Sequence, residues 1–568
     1  MNFLIILSLF ILANFTNIRK LEEQYDIVII GGGLAGLTAA FESNLKSNGS
    51  LKIALIEQTS DFAGNTNRST SGINLLETDP QPKNNIIDNY TVFYSDTMKS
   101  GKNINNPSLV STFINGSKTL YDYFANNFHT DITSLGILGG HSVARTHRPT
   151  NSNYVIGSYL INKVSEKVKK IDNIKILFNS TVIELLKNDT NNKIYGLKYK
   201  ETDSEENNTI YCKAIILTSG GYGYDFGENG LLNEFVPQYM NYPTTNGELT
   251  LGTGIKLARA IGADLVDMNQ VQIHPTSFVD LKDRYTKKKF LAPELLRGVG
   301  GILINKNGER FCNELGTREY VTEKIIQNCE KEDTEEIDQY ESYLLMNQEM
   351  AADFGNNFYF YKDVQGYISE HDNFTIMAKE LNIDYDTLEN TIYKYNEAFE
   401  TQLDEFNKTT FLHKFDINKT VYSMIITPSI HYTMGGIKIN NKGEVLNSKD
   451  EKINGLFGAG EVTGGVHGGD RLGGNSLTES GVYGRISADS AVDYILNNNE
   501  KANNGHRYFL NNKKSGLNAG AIVGIVIPVV FTVVITSLIM FLSMKSEMNI
   551  GNIKEKKGPH NFIYMDKL

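Results

Sequence analysis

The chain has little cysteine, no surplus of positive charge and no metal-ligand spacing. Three cysteines, Cys212, Cys312 and Cys329, stand far apart among 568 residues, without a CxxC or CxxCH pair. This pattern excludes a disulfide framework, covalently attached haem and the ligand sets of zinc or iron–sulfur sites, and no metal is expected. The odd number leaves at least one thiol unpaired, and all three read as ordinary buried cysteines. With 55 basic against 66 acidic side chains the formal net charge is −11. No basic run or basic–aromatic interleaving accompanies it, which argues against a nucleic-acid partner. An anionic substrate would be held by a few placed arginines and histidines and not by the overall field.

Long uncharged apolar runs are confined to the two ends. Residues 3–12 form a run too short to cross a bilayer comfortably, so residues 1–20 read as a secretory signal peptide. Residues 517–544 carry no charged side chain and are rich in Val, Ile and Leu around Pro528. That stretch exceeds the roughly 20 residues a helical span needs and predicts one C-terminal transmembrane helix. A linker over 498–516 is expected before it and a cytosolic tail over 545–568 after it. Together these segments predict a membrane-anchored protein of the secretory pathway, its catalytic part facing the lumen of the endoplasmic reticulum. A mitochondrial presequence is disfavoured because the N-terminal run lacks interleaved arginine. Sequons at Asn89, Asn115, Asn373 and Asn418 fit the same compartment and a glycoprotein.

Glycine occurs at telling positions. Residues 25–30 form an apolar strand that runs into Gly31, Gly33 and Gly36 and then into a helix. In such a unit the first glycine permits the tight turn, the second lets backbone approach a pyrophosphate, and the third allows close helix–strand packing. A second apolar strand, 51–56, ends in Glu57. That carboxylate comes about 20 residues past the last glycine, where it accepts hydrogen bonds from a ribose 2′-hydroxyl. A glycine-rich turn alone is weak evidence, but the complete βαβ unit predicts a bound dinucleotide. FAD in place of NAD is indicated by a small-residue loop, Gly64-Asn65-Thr66 and then Ser69 to Asn74, which includes Ser71, Gly72 and Ile73. A distal strand over 455–460 ending at Glu461 would return to the same cofactor. A site carried on both ends of the catalytic region implies an inserted domain between them.

These segments resemble the soluble FAD-dependent fumarate reductases of the succinate dehydrogenase and fumarate reductase flavoprotein superfamily. They are most similar to the single-chain eukaryotic enzymes and to the flavin part of bacterial flavocytochromes. The resemblance is carried, in family order, by Gly139-Gly-His141-Ser-Val-Ala-Arg145-Thr-His147, Thr218-Ser-Gly220-Gly221-Tyr222, Gly252-Thr-Gly-Ile-Lys-Leu-Ala258 and residues 267–276 with His274. It continues in Glu294-Leu-Leu-Arg297-Gly, residues 308–319 with Arg318, His431-Tyr-Thr-Met-Gly-Gly436 and Gly468-Gly-Asp-Arg471-Leu-Gly-Gly-Asn475. It implies an α/β fold: a doubly wound, Rossmann-like FAD-binding domain over 23–268 and 431–497, with an inserted α+β capping domain over 269–430. The active site would lie where cap meets flavin. The resemblance also assigns Leu34, Ala35, Gln58, Val182, Thr218, Gly220, Gly221, Asn475, Ser476 and Leu477 to the FAD site. His141, Arg145 and His147 are expected mainly to shape that site. No histidine stands between Asn65 and Asn74, where respiratory relatives attach flavin covalently, so non-covalent FAD is expected.

The implied reaction is reduction of fumarate to succinate, with hydride from flavin N5 to one carbon and a proton to its neighbour. By position, His431 and Arg471 clamp one carboxylate, the planar guanidinium fork suiting an oxygen pair. His274 takes the other, whose usual hydroxyl partner falls on Pro293, a residue with no donor to give. Arg318 matches the proton donor, resupplied through Glu294 and Arg297. Arginine is normally always charged, so physics alone makes Arg318 an electrostatic clamp. The electron donor stays open among reduced flavin, a nicotinamide and a redox protein. Alternatives are a reductase of another unsaturated acid, urocanate- or methacrylate-like, a ketosteroid dehydrogenase, or a membrane-anchored non-catalytic flavoprotein.

Overall fold

The computed structural model describes residues 23–62 and 64–512, with side chains as far as residue 498. The signal and transmembrane expectations, on residues 1–20 and 517–544, lie outside the described residues. Among the described residues no helix is long and apolar enough to cross a membrane. One compact unit ends at Leu496, and the unit that follows is described only to Asn512. The helix Asn475–Asn512 runs through most of the expected linker, which contains no proline to stop it.

The strand Glu23–Ile30 enters the core at Ile27, and its four consecutive aliphatic residues from there are buried, as in an internal strand of a parallel sheet. It pairs in parallel with Ile53–Ile56 on one side and Asn207–Leu217 on the other. Ile174–Leu177 and Lys452–Gly458 extend the parallel layer outward. The antiparallel strands Ser180–Asn188, Lys193–Glu201 and Glu444–Leu446 complete an eight-stranded sheet. The helix Leu34–Lys46 packs across it beginning at Gly33. Gly31 has φ +108°, and a Cβ on Gly36 would fall 1.9 Å from the Gly31 carbonyl oxygen, so these two positions exclude any larger residue.

A second, six-stranded antiparallel sheet is built from Val271–Phe278, Phe290–Leu291, Ile302–Ile304, Ser342–Asn347, Ser369–His371 and Val421–Thr433. It has its own core, containing Phe278, Leu296, Ile302, Leu344, Val421 and Ile426. The division between the two cores does not fall in linkers. Val271, Ile273 and Ile430 belong to the first core, while Phe278 and Ile426, on the same paired strands, belong to the second. Two adjacent strands thus carry the chain from one core into the other and leave little freedom at the junction.

Candidate active site

Ile30, Ile56, Leu217 and Gly458 are register neighbours at the carboxyl ends of the parallel strands. The residues that follow them, Gly31, Glu57, Thr218 and Ala459, open onto one cavity of about 440 Å³. This is where parallel α/β sheets place ligands, because helix N-termini and unpaired amides converge there. Glu57 sits at the strand end with Oε2 accepting from the Gly32 amide at 2.7 Å and Oε1 from the Thr59 amide at 3.0 Å. Gly220, at φ +77°, has nothing within 4 Å of where a Cβ would stand. Ser219 Oγ and Thr70 Oγ1 line the cavity, are buried and have no protein partner. A buried hydroxyl without a partner is costly. The donor set, the glycine cradle and the strand-end acid together fit a dinucleotide.

At one side of the cavity Arg318 begins the helix Arg318–Asn328, whose cap, Thr317, accepts from the Tyr320 amide. Arg318 Nε and Nη2 donate to Glu294 Oε2 at 2.9 and 2.7 Å, and Nη1 donates to Gln272 Oε1 at 2.8 Å. Glu294 is fully buried, and its other oxygen accepts from the Gly139 amide at 2.7 Å. Burial by itself would raise this carboxyl, but the Arg318 and Arg297 guanidiniums outweigh burial and hold it at about 2. Arg297 lies beyond, also fully buried, with Nη2 4.0 Å from Glu294 and Nη1 donating to the Glu314 carbonyl. Its Nε and Nη2 have no hydrogen-bond partner.

Arg471 faces Arg318 across Gln272, whose Oε1 also accepts from Arg471 Nη2 at 3.3 Å. Its Nη1 donates to the Leu472 carbonyl, and its guanidinium lies 4.1 Å from the centre of the Tyr432 ring. Nε has no partner. Burial and the neighbouring Arg318 lower Arg471 to about 10, so it remains cationic at neutral pH. His431 Nδ1 lies 2.7 Å from the Thr245 hydroxyl, and its ring centre is 4.9 Å from that of His274. His274 Nδ1 lies 2.8 Å from the Thr276 carbonyl, while Nε2 is buried without a partner. Burial, reinforced by Arg318, pushes both imidazoles well below the usual histidine range and makes them neutral. Glu461, accepting from the Thr433 amide at 3.0 Å, is raised by burial to about 7.

The FAD binding domain family model matches residues 26–477. Fumarate reductase 1 of Saccharomyces cerevisiae is 37% identical over 486 residues, covering 82% of this chain and 98% of the yeast protein. The fumarate reductase of Schizosaccharomyces pombe is 34% identical, covering 83% of this chain and 90% of its own length. The chain belongs to the fumarate reductase family of FAD-binding proteins. Its cofactor is FAD, and it is an oxidoreductase. An open conformation of a flavocytochrome c3 fumarate reductase superposes with a TM-score of 0.65 at 27% identity, covering 84% of this chain and 79% of that one.

Within this family member most residues assigned to FAD reach the cavity wall: Gly31, Gly33, Leu34, Ala35, Glu57, Gln58, Gly64, Asn65, Ser71, Gly72, Val182, Thr218, Gly220, Glu461, Ser476 and Leu477. Gly36, Ile73, Gly221 and Asn475 do not. Gly36 faces the Gly31 carbonyl, Ile73 is buried in a strand paired with His147, and Gly221 abuts Thr433. Asn475 accepts from the Asn74 amide nitrogen, leaving its own Nδ2 without a partner. Arg318, His431 and Arg471 line the cavity, whereas His274, Glu294 and Arg297 stand behind them. His141, Arg145 and His147 also miss the wall. Arg145 is buried against Asp88 and Asp96, His141 reaches the Gly473 carbonyl at 3.0 Å, and His147 pairs with Thr78. All three cysteines are buried. Sequence reasoning missed Thr245, Asn246 and Gly247 on the wall and Gln272 between the two arginines. The Pro-Thr-Thr-Asn-Gly run at 243–247 is a turn signal, but nothing in it points to His431.

Proposed function

We propose that this enzyme reduces fumarate to succinate, with the second sheet and its helices acting as a cap over the flavin. The observation that carries this reading is the state of Arg471: buried at the cavity wall, cationic, and engaged in no ion pair among the described residues. A buried unpaired guanidinium is costly, and an anionic substrate supplies the missing counter-charge. FAD, when bound, supplies the hydride and is held without a covalent link. Arg471 and His431 orient one carboxylate, and His274 receives the other. Arg318 spends three of its five N–H donors on Glu294 and Gln272 and keeps two for the cavity, from which it gives a proton to the substrate. Glu294 and Arg297 relay a replacement proton, drawn ultimately from solvent, back to Arg318. Orientation of this kind can remove roughly 7–11 kcal/mol of barrier.

One observation favours a second reading, a different unsaturated acid: His274 Nε2 is unpartnered, and Pro293, where the resemblance expects a hydroxyl, has no donor to give. The test is anaerobic oxidation of reduced viologen by the full-length enzyme with fumarate, urocanate and methacrylate in parallel. Rapid turnover with fumarate alone supports the dicarboxylate clamp. Turnover with another acid, or none despite bound FAD, refutes it. Lumen-facing placement on a C-terminal span is proposed from residues 1–20 and 517–544, and protease protection in microsomes tests it. The electron donor is proposed to be a reduced flavin, a nicotinamide or a redox protein, distinguishable by which one reoxidises in the presence of fumarate.

A further inference from the structure

Behind Gln272, on the side away from the two site arginines, lies a carboxylate that the reaction does not use. Asp470 is 3% exposed and directly precedes Arg471. Its Oδ1 accepts from Gln272 Nε2 and from the Arg471 amide at 3.0 Å, and its Oδ2 accepts from the Glu319 amide at 3.1 Å. The Ser100 hydroxyl fixes its backbone by donating to its carbonyl at 3.0 Å. Three parts of the chain therefore meet at one side chain: the loop carrying Arg471, the strand Val271–Phe278 carrying Gln272, and the first turn of the eleven-residue helix that starts at Arg318.

We infer that Asp470 is a positioning residue that sets the distance and orientation of Arg318 relative to Arg471. A carboxylate only accepts hydrogen bonds, so it forces Gln272 to present Nε2 toward Asp470 and the Arg471 carbonyl, the latter at 2.7 Å. Oε1 is thereby turned to the other side, where it accepts from both guanidiniums and holds two like charges together. An amide at position 470 can accept on one side only: with its Oδ1 kept toward Gln272 and the Arg471 amide, its Nδ2 meets the Glu319 amide donor to donor, and the tie between the Arg318 helix and the Arg471 loop is lost. The Oδ2 contact with the Glu319 amide places negative charge at a helix N-terminus, where the dipole favours it, and ties the helix of Arg318 to the Arg471 loop. The side chain acts through Gln272 and the helix and is not itself a proton donor. This inference rests on the reading of Arg318 as the proton donor.

The test is Asp470→Asn in the FAD-loaded full-length enzyme. Turnover with reduced viologen and fumarate is expected to fall roughly 10- to 100-fold, the scale of losing a hydrogen bond to a charged group. KM, visible flavin absorbance and thermal midpoint stay near wild type, and the solvent deuterium isotope effect on kcat rises because proton delivery becomes slower. Asp470→Ser, which has one oxygen in place of the two that join Gln272 and the Glu319 amide, behaves alike and serves if the asparagine variant does not fold. Unchanged kcat in a flavin-loaded variant overturns the inference. So does a loss of kcat that moves together with flavin content and thermal midpoint in both variants, which would make Asp470 merely structural. Wild-type enzyme inactive on fumarate would instead sink the functional reading itself.

Discussion

Replacing Thr245 with valine removes one hydroxyl at nearly constant volume, and the geometry sets the consequence. The hydroxyl lies 2.7 Å from His431 Nδ1 and 3.2 Å from the Ile430 carbonyl. A hydroxyl donates once, and His431 is neutral because burial, Arg318 and Arg471 all disfavour its charged form. Donation to Nδ1, the shorter contact, leaves the ring proton on Nε2, where it can be given to a substrate carboxylate. Valine cannot impose that tautomer or hold the ring. A net hydrogen bond contributes about 0.5–1.5 kcal/mol, which corresponds to a loss of roughly 2- to 13-fold in kcat/KM. The loss should fall mainly on KM, since the carboxylate is clamped in ground and transition states alike. Steady-state viologen oxidation over a range of fumarate concentrations reads both parameters, and Thr245→Ser should remain near wild type. A loss beyond a hundredfold confined to kcat, or wild-type kinetics in the valine variant, would refute the assignment of Thr245 to His431.

Three other outcomes are expected. Arg318→Ala should retain flavin absorbance while kcat falls roughly 10²- to 10⁴-fold, the range for losing a general acid, and ordinary turnover would sink the proton-donor role. KM for fumarate should rise with pH above the depressed pKa of free His274, at nearly constant kcat. The reason is that the shorter contact of His274 Nδ1, 2.8 Å to the Thr276 carbonyl against 3.2 Å from the Thr276 amide, puts the ring proton on Nδ1 and leaves a lone pair at Nε2, while burial with Arg318, His431 and Arg297 depresses its pKa. Binding a carboxylate there takes up a proton, which becomes scarcer as pH rises; a pH-independent KM would show that His274 does not meet a carboxylate. Arg145→Met should lower stability by about 3–5 kcal/mol, measured as a shift in the denaturation midpoint of the flavin-loaded protein. The guanidinium is fully buried against Asp88 at 2.8 Å and Asp96 at 2.6 Å, so its removal strands two carboxylates, and adding Asp88→Asn with Asp96→Asn should recover part of the loss. An unshifted midpoint would mean that water reaches the cluster.

The amino-acid sequence by itself determined the nucleotide-binding unit. Gly31, Gly33, Gly36 and Glu57 act through backbone geometry and through two strands and one helix contiguous in the chain, so their meaning is local and readable in order. The arginine and histidine motifs were legible only through family resemblance: Arg318, Arg471 and His431 meet at one cavity, whereas His274, His141, Arg145 and His147 do not reach its wall. Tertiary structure alone decided which side of each element faces that cavity. Ile73 and Gly221 belong to motifs that reach the site, yet packing against His147 and Thr433 turns them away from it. Tertiary structure also brought Thr245 to His431, 186 residues later, set Gln272 between two arginines and placed Asp470 behind it. Such side chains carry no periodicity of their own. Their role arises from hydrogen bonds that exist only once the strands Val271–Phe278 and Val421–Thr433 of the second sheet have reached into the first core.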